Sequence, residues 1–479
     1  MNYYIGLDVG TSSVKAILIN DNEVVNVVSR DYPLYFPKPT YSEQEPTDWY
    51  NQSVDAMKEL LKDIDKSSVK AISFSGQMHG LVMLDKDDNV IRPAILWNDG
   101  RSEKEVAYLN NEVGKDFLLD NTGNIAFAGF TAPKLLWVYN NEPENFAKID
   151  KVMLPKDYVA YMLSGVFATD TSDAAGTLYF DTKNRSWSKP MLDLIHISED
   201  NLPKIFESYE AVGNIKADVA AELGLSEDTK IVIGAGDNAA SAIGTGTIGD
   251  GDCNISLGTS GTIFVCTDKF NCDRENAIHS FCSASGKYHY LACTLTAASS
   301  QKWWIDDIVK SGYGFEDEAA KFIGKSNVLF LPYLMGERSP TNDTNVRGMF
   351  CNLSMNTTQE EMTLAVLEGV AFSLKQNIDI INALGANVVK SKICGGGTRT
   401  RIWLKLVATI LDIDIELPTL EHGGGLGAAL LAAKGSGNDI ADNFYGVKET
   451  IKPDKSLVDF YKAKYEKYLK LYPMAKTVV

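Results

Sequence analysis

Ile5-Gly6-Leu7-Asp8-Val9-Gly10-Thr11-Ser12 opens the chain with an apolar strand that ends on a carboxylate and a Gly-Thr-Ser turn. Ile5 to Asp8 and Lys15 to Ile19 read as two strands, because large and β-branched residues flank a polar, glycine-containing break. Asn254-Ile255-Ser256-Leu257-Gly258-Thr259-Ser260 repeats the pattern in the second half. Two such hairpins point to a duplicated core, with Asp8 of the first aligned to Ser256 of the second. Gly-Thr-Ser is also an ordinary turn composition, so the echo alone leaves coincidence open.

Outward from these hairpins, strand-like and helix-like segments alternate, which is the pattern of an α/β fold. Asp48 to Leu61 has helical periodicity, and Val69 to Phe74 reads as a strand entering Ser75-Gly76-Gln77-Met78-His79-Gly80. Lys230 to Ile233 runs into Gly234-Ala235-Gly236-Asp237, and Lys392-Ile393-Cys394 into Gly395-Gly396-Gly397. The chain has 479 residues, too many for one ordinary core, so two domains are expected. No low-complexity linker separates them.

Hydrophobic residues at 45% and charged residues at 23% describe ordinary globular chemistry. A net charge of −17 argues against a nucleic-acid or anionic-membrane surface but leaves a nucleotide site open, since backbone N–H groups and Mg²⁺ hold phosphates locally. The seven cysteines have no C-x-x-C spacing, which favours reduced thiols. The sequence starts directly on a strand and has no run near the ~18 apolar residues of a membrane span, so a cytoplasmic protein is expected.

A Gly-Thr-Ser turn can hold phosphate through backbone N–H groups and hydroxyls, which makes Thr11, Ser12, Thr259 and Ser260 candidates. Asp8 suits Mg²⁺, which uses one or two carboxylates plus phosphate oxygens; otherwise it bonds its own turn. Asp237 is the sharper candidate. A carboxylate there can orient an acceptor hydroxyl and take its proton as an oxygen–phosphorus bond forms; the bland alternative is a helix N-cap. Gly234 to Ala239 also fits the dinucleotide pattern G-x-G-x-x-A. Asp237 would then set a negative charge against the pyrophosphate, and no clear acidic residue follows at the ribose distance. The pattern G-x-x-x-x-G-K-[ST] is absent.

Gln77, His79, Asn98, Asp99 and Arg101 could bond a small polyol, with Met78 and Trp97 as its apolar surface. Asp99 and Arg101 could instead pair and brace their loop. Gly395 to Gly397 allows close approach of a nucleotide or forms a tight turn. Glu421 to Gly427 reads as close helix packing.

These stretches resemble the FGGY carbohydrate kinases over nearly the whole chain. Gly76 to Gly80, with Arg92-Pro93-Ala94-Ile95-Leu96-Trp97-Asn98-Asp99-Gly100-Arg101, is specific to the xylulose-phosphorylating branch. The resemblance implies two actin-like, ribonuclease-H-like domains around a central cleft, a sugar-binding one at 1–245 and a nucleotide-binding one at 246–479. It implies ATP and Mg²⁺, and transfer to the terminal C5 hydroxyl of D-xylulose with Asp237 as base. Met78, His79 and Asn238 match sugar positions, with Gln77, Trp97 and Arg101 beside them. Asp8, Thr11 and Thr259 match phosphate or metal positions, Gly396 and Gly397 the nucleotide site, and Trp303 the neighbourhood of the adenine. Ser283, Thr409, Asp412 and Glu421-His422 depart from the family pattern. Ribulose, gluconate or glycerol as acceptor, an actin-like assembly ATPase, and a homodimer all stay open.

Overall fold

Tyr4, Ile5, Leu7 and Val9 leave no surface to water, so the first strand, β1 (Tyr3–Val9), is buried on both faces at the centre of a sheet. The computed structural model describes residues 1–310, 315–420 and 422–479. The chain divides into two compact units. The first comprises Met1–Ile248, Ser280–His289 and His422–Tyr445; the second comprises Gly249–His279, Tyr290–Glu421 and Gly446–Val479. The boundary expected after residue 245 stands beside the first crossing, while the two later returns carry no mark in the sequence.

In the first unit, β1 pairs antiparallel with β2 (Ser13–Ile19), and β2 antiparallel with β3 (Val24–Asp31). On the other side β1 runs parallel with β4 (Val69–Gly76). Beyond β4 lie β5 (Ala211–Asn214) and β6 (Lys230–Val232), in the order β5-β6-β4-β1-β2-β3. A two-residue strand, β7 (Ala235–Gly236), pairs with the end of β4. The helix Pro46–Leu60 starts on a proline and buries Trp49, Val54, Met57 and Leu60. The helix Gly423–Gly435 settles on β1 and on the helix Asp237–Thr245 because side-chain-free positions meet. A Cβ on Gly6 would strike the carbonyl of Gly425, and one on Gly427 the carbonyl of Ala240. The glycine run thus serves close helix packing, as its composition suggested; Glu421 lies outside the described residues.

A second sheet, whose run from β9 to β14 lies in the second unit, is ordered β10-β11-β9-β8-β12-β13-β14. Its strands are β8 (Cys253–Leu257), β9 (Gly261–Thr267), β10 (His279–Cys282), β11 (Tyr288–Thr294), β12 (Lys390–Cys394), β13 (Asp414–Pro418) and β14 (Val447–Ile451). Again β8 pairs antiparallel with the next strand in sequence and parallel with a distant one, β12. β13 continues the parallel run and β14 reverses it, as β6 and β5 do in the first unit. The shared order, not the turn composition, establishes the duplication. Behind this sheet the helix Gln359–Ala383, closed at its start by a Thr358–Glu361 capping box, packs with Arg401–Leu411 on Ile255, Leu257 and Ile393. No helix among the described residues is long and apolar enough to cross a membrane.

Candidate active site

In an open sheet with parallel strands, polar groups converge where those strands end, because the chain leaves the sheet there and frees backbone and side chains for a ligand. β1, β4 and β7 end together: Asp8 stands opposite Ser75, Val9 opposite Gly76, and Gly236 opposite the same Gly76. Asp8 Oδ1 accepts a hydrogen bond from Ser75 Oγ at 2.8 Å. Burial raises the Asp8 carboxyl above its ordinary range, against smaller opposing effects of Ser75 and of the Lys15 charge across the hairpin. The start of the helix Gly423–Gly435 closes over this carboxylate, for a Cβ on Gly424 would stand 3.1 Å from Asp8 Oδ1.

Asp237 is the first residue of the helix Asp237–Thr245, and Gly236, not Asp237, is its N-cap. Its Oδ1 accepts from the Asn238 backbone N–H at 2.6 Å and from Asn238 Nδ2 at 2.7 Å. The residue keeps some accessible surface, yet protein crowds its carboxylate. Desolvation, aided by the negative charge of Asp8 and opposed by the Asn238 bonds, pushes its pKa up to about 7. Two carboxylates that repel one another at a strand end suit a divalent cation, which would relieve that repulsion. Among the described residues no group of three or more His, Cys, Asp or Glu is placed to hold a metal by itself.

Met78 and His79 stand against this end of the sheet. A Cβ on Gly236 would lie 2.9 Å from Met78 Cγ, and one on Gly176 would lie 2.6 Å from His79 Nδ1. Gly236 N donates to Ser172 Oγ at 3.2 Å, which ties the strand leading to Asp237 to the segment leading to Gly176. Gln77 joins the first turn to the second loop: Thr11 Oγ1 donates to Gln77 Oε1 at 3.3 Å, and Gln77 Nε2 donates to Gln44 Oε1 at 3.0 Å. Trp97 keeps 42% of its surface exposed while its Nε1–H donates to Thr11 Oγ1 at 2.9 Å. Ser12 is exposed at the turn. The structure thus gathers Asp8, Thr11, Gln77, Met78, His79, Trp97, Asp237 and Asn238.

Arg101 corrects the expectation of a sugar contact. Its side chain is 1% exposed, bonded to Asp99 and to Glu43 at 2.7 Å each and laid over the Tyr41 ring at 3.8 Å. A guanidinium so engaged braces the loop, the other role its pairing with Asp99 allowed. Ser75, Gln44, Ser172 and Gly176 were missed because their importance comes from strand register and cross-loop bonds, not from local composition.

In the second unit the β8–β9 turn, the residues after β12 and the helix Ala298–Lys302 line a cavity of about 480 Å³. Thr259 and Gly396 line it, with Ser299, Gln301, Lys302, Asp306, Arg399 and Thr400. Ala298 N donates to Gly258 O at 2.8 Å and Ser299 Oγ to Thr259 O at 2.7 Å, fixing the helix start on the turn. Gly395 has φ +98°, and a Cβ there would stand 2.7 Å from the Leu257 carbonyl carbon. Gly396 faces open space, whereas Gly397 is pressed on Leu257 and Trp403 behind the cavity. Trp303 stands half-buried, its ring stacked on Phe330 at 6.3 Å beside the Trp304–Phe350 cluster, and its neighbours Lys302 and Asp306 line the cavity. Arg399 and Thr400, just past Gly397 and Thr398, were the findable signal.

Family models for the FGGY family of carbohydrate kinases match residues 3–244 with the N-terminal domain and residues 253–436 with the C-terminal domain. The xylulose kinase of Escherichia coli (strain K12) is 39% identical over 475 residues, covering 95% of this chain and 92% of that protein. The crystal structure of a "xyloylose kinase" from Brucella ovis superposes with TM-score 0.95 at 39% identity, over 100% of both chains. A gluconate kinase from Lactobacillus acidophilus reaches TM-score 0.94 at 29% identity, over 99% of this chain and 98% of that one.

Proposed function

Because the chain belongs to the FGGY family of carbohydrate kinases, we propose that it phosphorylates D-xylulose on its terminal C5 hydroxyl, with ATP as donor and Asp237 as general base. The observation that carries this reading is the Asp237 carboxylate. It stands at the common end of three strands beside Met78 and Asn238, with a pKa pushed up to about 7. A base works best when its pKa is near the working pH, since it is then ionised and still able to accept a proton.

In this mechanism residues 1–245 bind the sugar and 246–479 the nucleotide, whose phosphates also meet the Thr11–Ser12 turn of the first hairpin. Gln77, His79 and Asn238 bond the hydroxyls, and Met78 and Trp97 cover the carbon chain. Asp237 orients the C5 hydroxyl and accepts its proton as the oxygen attacks the γ-phosphorus. The new oxygen–phosphorus bond forms, the β–γ bridging bond breaks, and ADP leaves. Such a base contributes typically ~10²–10⁴-fold, the rest coming from positioning and charge neutralisation. Thr11, Ser12, Thr259, Gly396 and Gly397 are assigned to the nucleotide. Mg²⁺ would be held by Asp8 and supplies neutralisation of phosphate charge. A cytoplasmic setting, with ATP and reduced thiols, suits this reading.

A panel of D-xylulose, ribulose, gluconate and glycerol, read by coupled ADP release, tests it. Xylulose should have the highest kcat/KM; a higher value for another polyol moves the substrate without moving the chemistry. ATP hydrolysis without sugar should be at least about a hundredfold slower. A sugar-independent rate equal to the kinase rate would favour an assembly ATPase.

A further inference from the structure

Lys134 lies on the helix Thr131–Asn141 with no exposed surface, and among the described residues it makes no ion pair. An ammonium buried without a carboxylate is costly, so what it bonds is informative. Its Nζ donates to the His79 carbonyl at 2.9 Å and to the Gly129 carbonyl. Thr131 Oγ1, at the start of the same helix, donates to the same His79 oxygen at 3.1 Å. Desolvation pushes the lysine's pKa down to about 7, with Asp99 opposing and Arg101 adding slightly.

The residue so held is strained. His79 has φ +71°, in the left-handed region that a residue with a Cβ enters at a cost. Its ring is fixed as well, with Nδ1 2.7 Å from Gly176 O and the ring centroid 4.8 Å from that of Phe130. Gly129, the second acceptor, abuts the other loop, where a Cβ would stand 2.9 Å from the Trp97 carbonyl oxygen.

We infer that Lys134 is a positioning residue for sugar binding: its ammonium ties the His79 peptide and the Gly129–Trp97 contact to one helix, and so sets the geometry of both sugar-contacting loops. This rests on the sugar-kinase reading above. Nζ carries N–H donors in either protonation state, so the two bonds resist the tendency of His79 to relax.

The test is Lys134→Met, close in volume and without a donor. KM for the sugar should rise about tenfold or more, while KM for ATP stays within about twofold, since only a sugar-side geometry is lost. The melting temperature should hold or rise, because a buried unpaired cation is removed. A sugar KM within about twofold of the parent, or sugar and ATP KM rising together with a fall in melting temperature, overturns the inference. Should Lys134→Met not fold, Thr131→Val decides, with a sugar KM raised about threefold and ATP unchanged as the supporting result and no change as the opposing one. If the parent protein phosphorylates none of the panel, the proposed function falls by itself. The His79 ring NMR signals then judge Lys134: a shift in Lys134→Met supports the tie, and unchanged signals overturn it.

Discussion

The hairpin ending at Asp8 and the hairpin ending at Ser256 occupy the same place in two sheets of the same order, and they are furnished differently. Asp8 pairs across to Lys15 and lies beside Ser75; Ser256 pairs across to Thr262 and lies beside Cys394. The parallel neighbour of the first leads into Gln77, Met78 and His79, side chains suited to bonding and covering a polyol. The neighbour of the second leads into three glycines, of which Gly396 opens on a cavity of about 480 Å³. One scaffold therefore presents side chains and carboxylates on one copy and bare backbone with hydroxyls on the other. Backbone N–H groups cradle anions without choosing among them, whereas side chains discriminate.

The comparison sharpens most at Asp237, the carboxylate that opens the helix after β7. Asp237→Asn should lower kcat by about 10³-fold with sugar KM nearly unchanged, measured by coupled ADP release. In the parent, log kcat/KM should fall toward unit slope as pH drops below about 7, the pKa of the buried carboxyl. Near-normal turnover in Asp237→Asn removes the base from the mechanism. The stability sign runs the other way. A carboxyl whose folded pKa is raised stabilises the folded state only while protonated, and that contribution is lost as pH rises through about 7. Asp237→Asn should therefore raise the melting temperature more at pH 8 than at pH 5.

Asp8→Ser gives the first hairpin the residue of the second. It should lower kcat by about 10²-fold and raise the Mg²⁺ concentration needed for half-maximal rate. Gly396→Ala adds a methyl where open space receives it, so folding should be unaffected while KM for ATP rises about tenfold and sugar KM does not move. An unchanged ATP KM would take Gly396 out of the nucleotide site. The smallest effect is expected of Ser256→Asp, which makes the second hairpin resemble the first. Its added charge should raise KM for ATP about threefold at low salt and less at high salt.

Much of the fold was legible because hydrophobic burial writes a local pattern. β1, β2, β4, β8 and β12 stand where β-branched runs break on glycine, and the helix Pro46–Leu60 follows its apolar spacing. The place of Asp237 was legible as well, as the acid that opens a small-residue helix directly after Gly236. Arg101 was half legible: its pairing with Asp99 is local, but Glu43, which completes the brace, comes from a distant strand. The packing of Trp303 was not legible, because its stacking partner Phe330 comes from a distant strand.

Composition and spacing alone determined an α/β chain long enough for two domains, with strands that break on glycine and carboxylates at 8 and 237; the strand order of the two sheets decided that its hairpin is repeated. Only the tertiary structure decided that these two carboxylates repel one another, that the helix beginning at Gly423 closes over Asp8, and that a buried lysine at 134 grips the peptide of His79. The reason is the range of the forces involved. Propensity and burial act over a few residues and leave a trace in the local sequence. Desolvation and hydrogen bonding at a site depend on which distant segments the packing brings within a few ångströms.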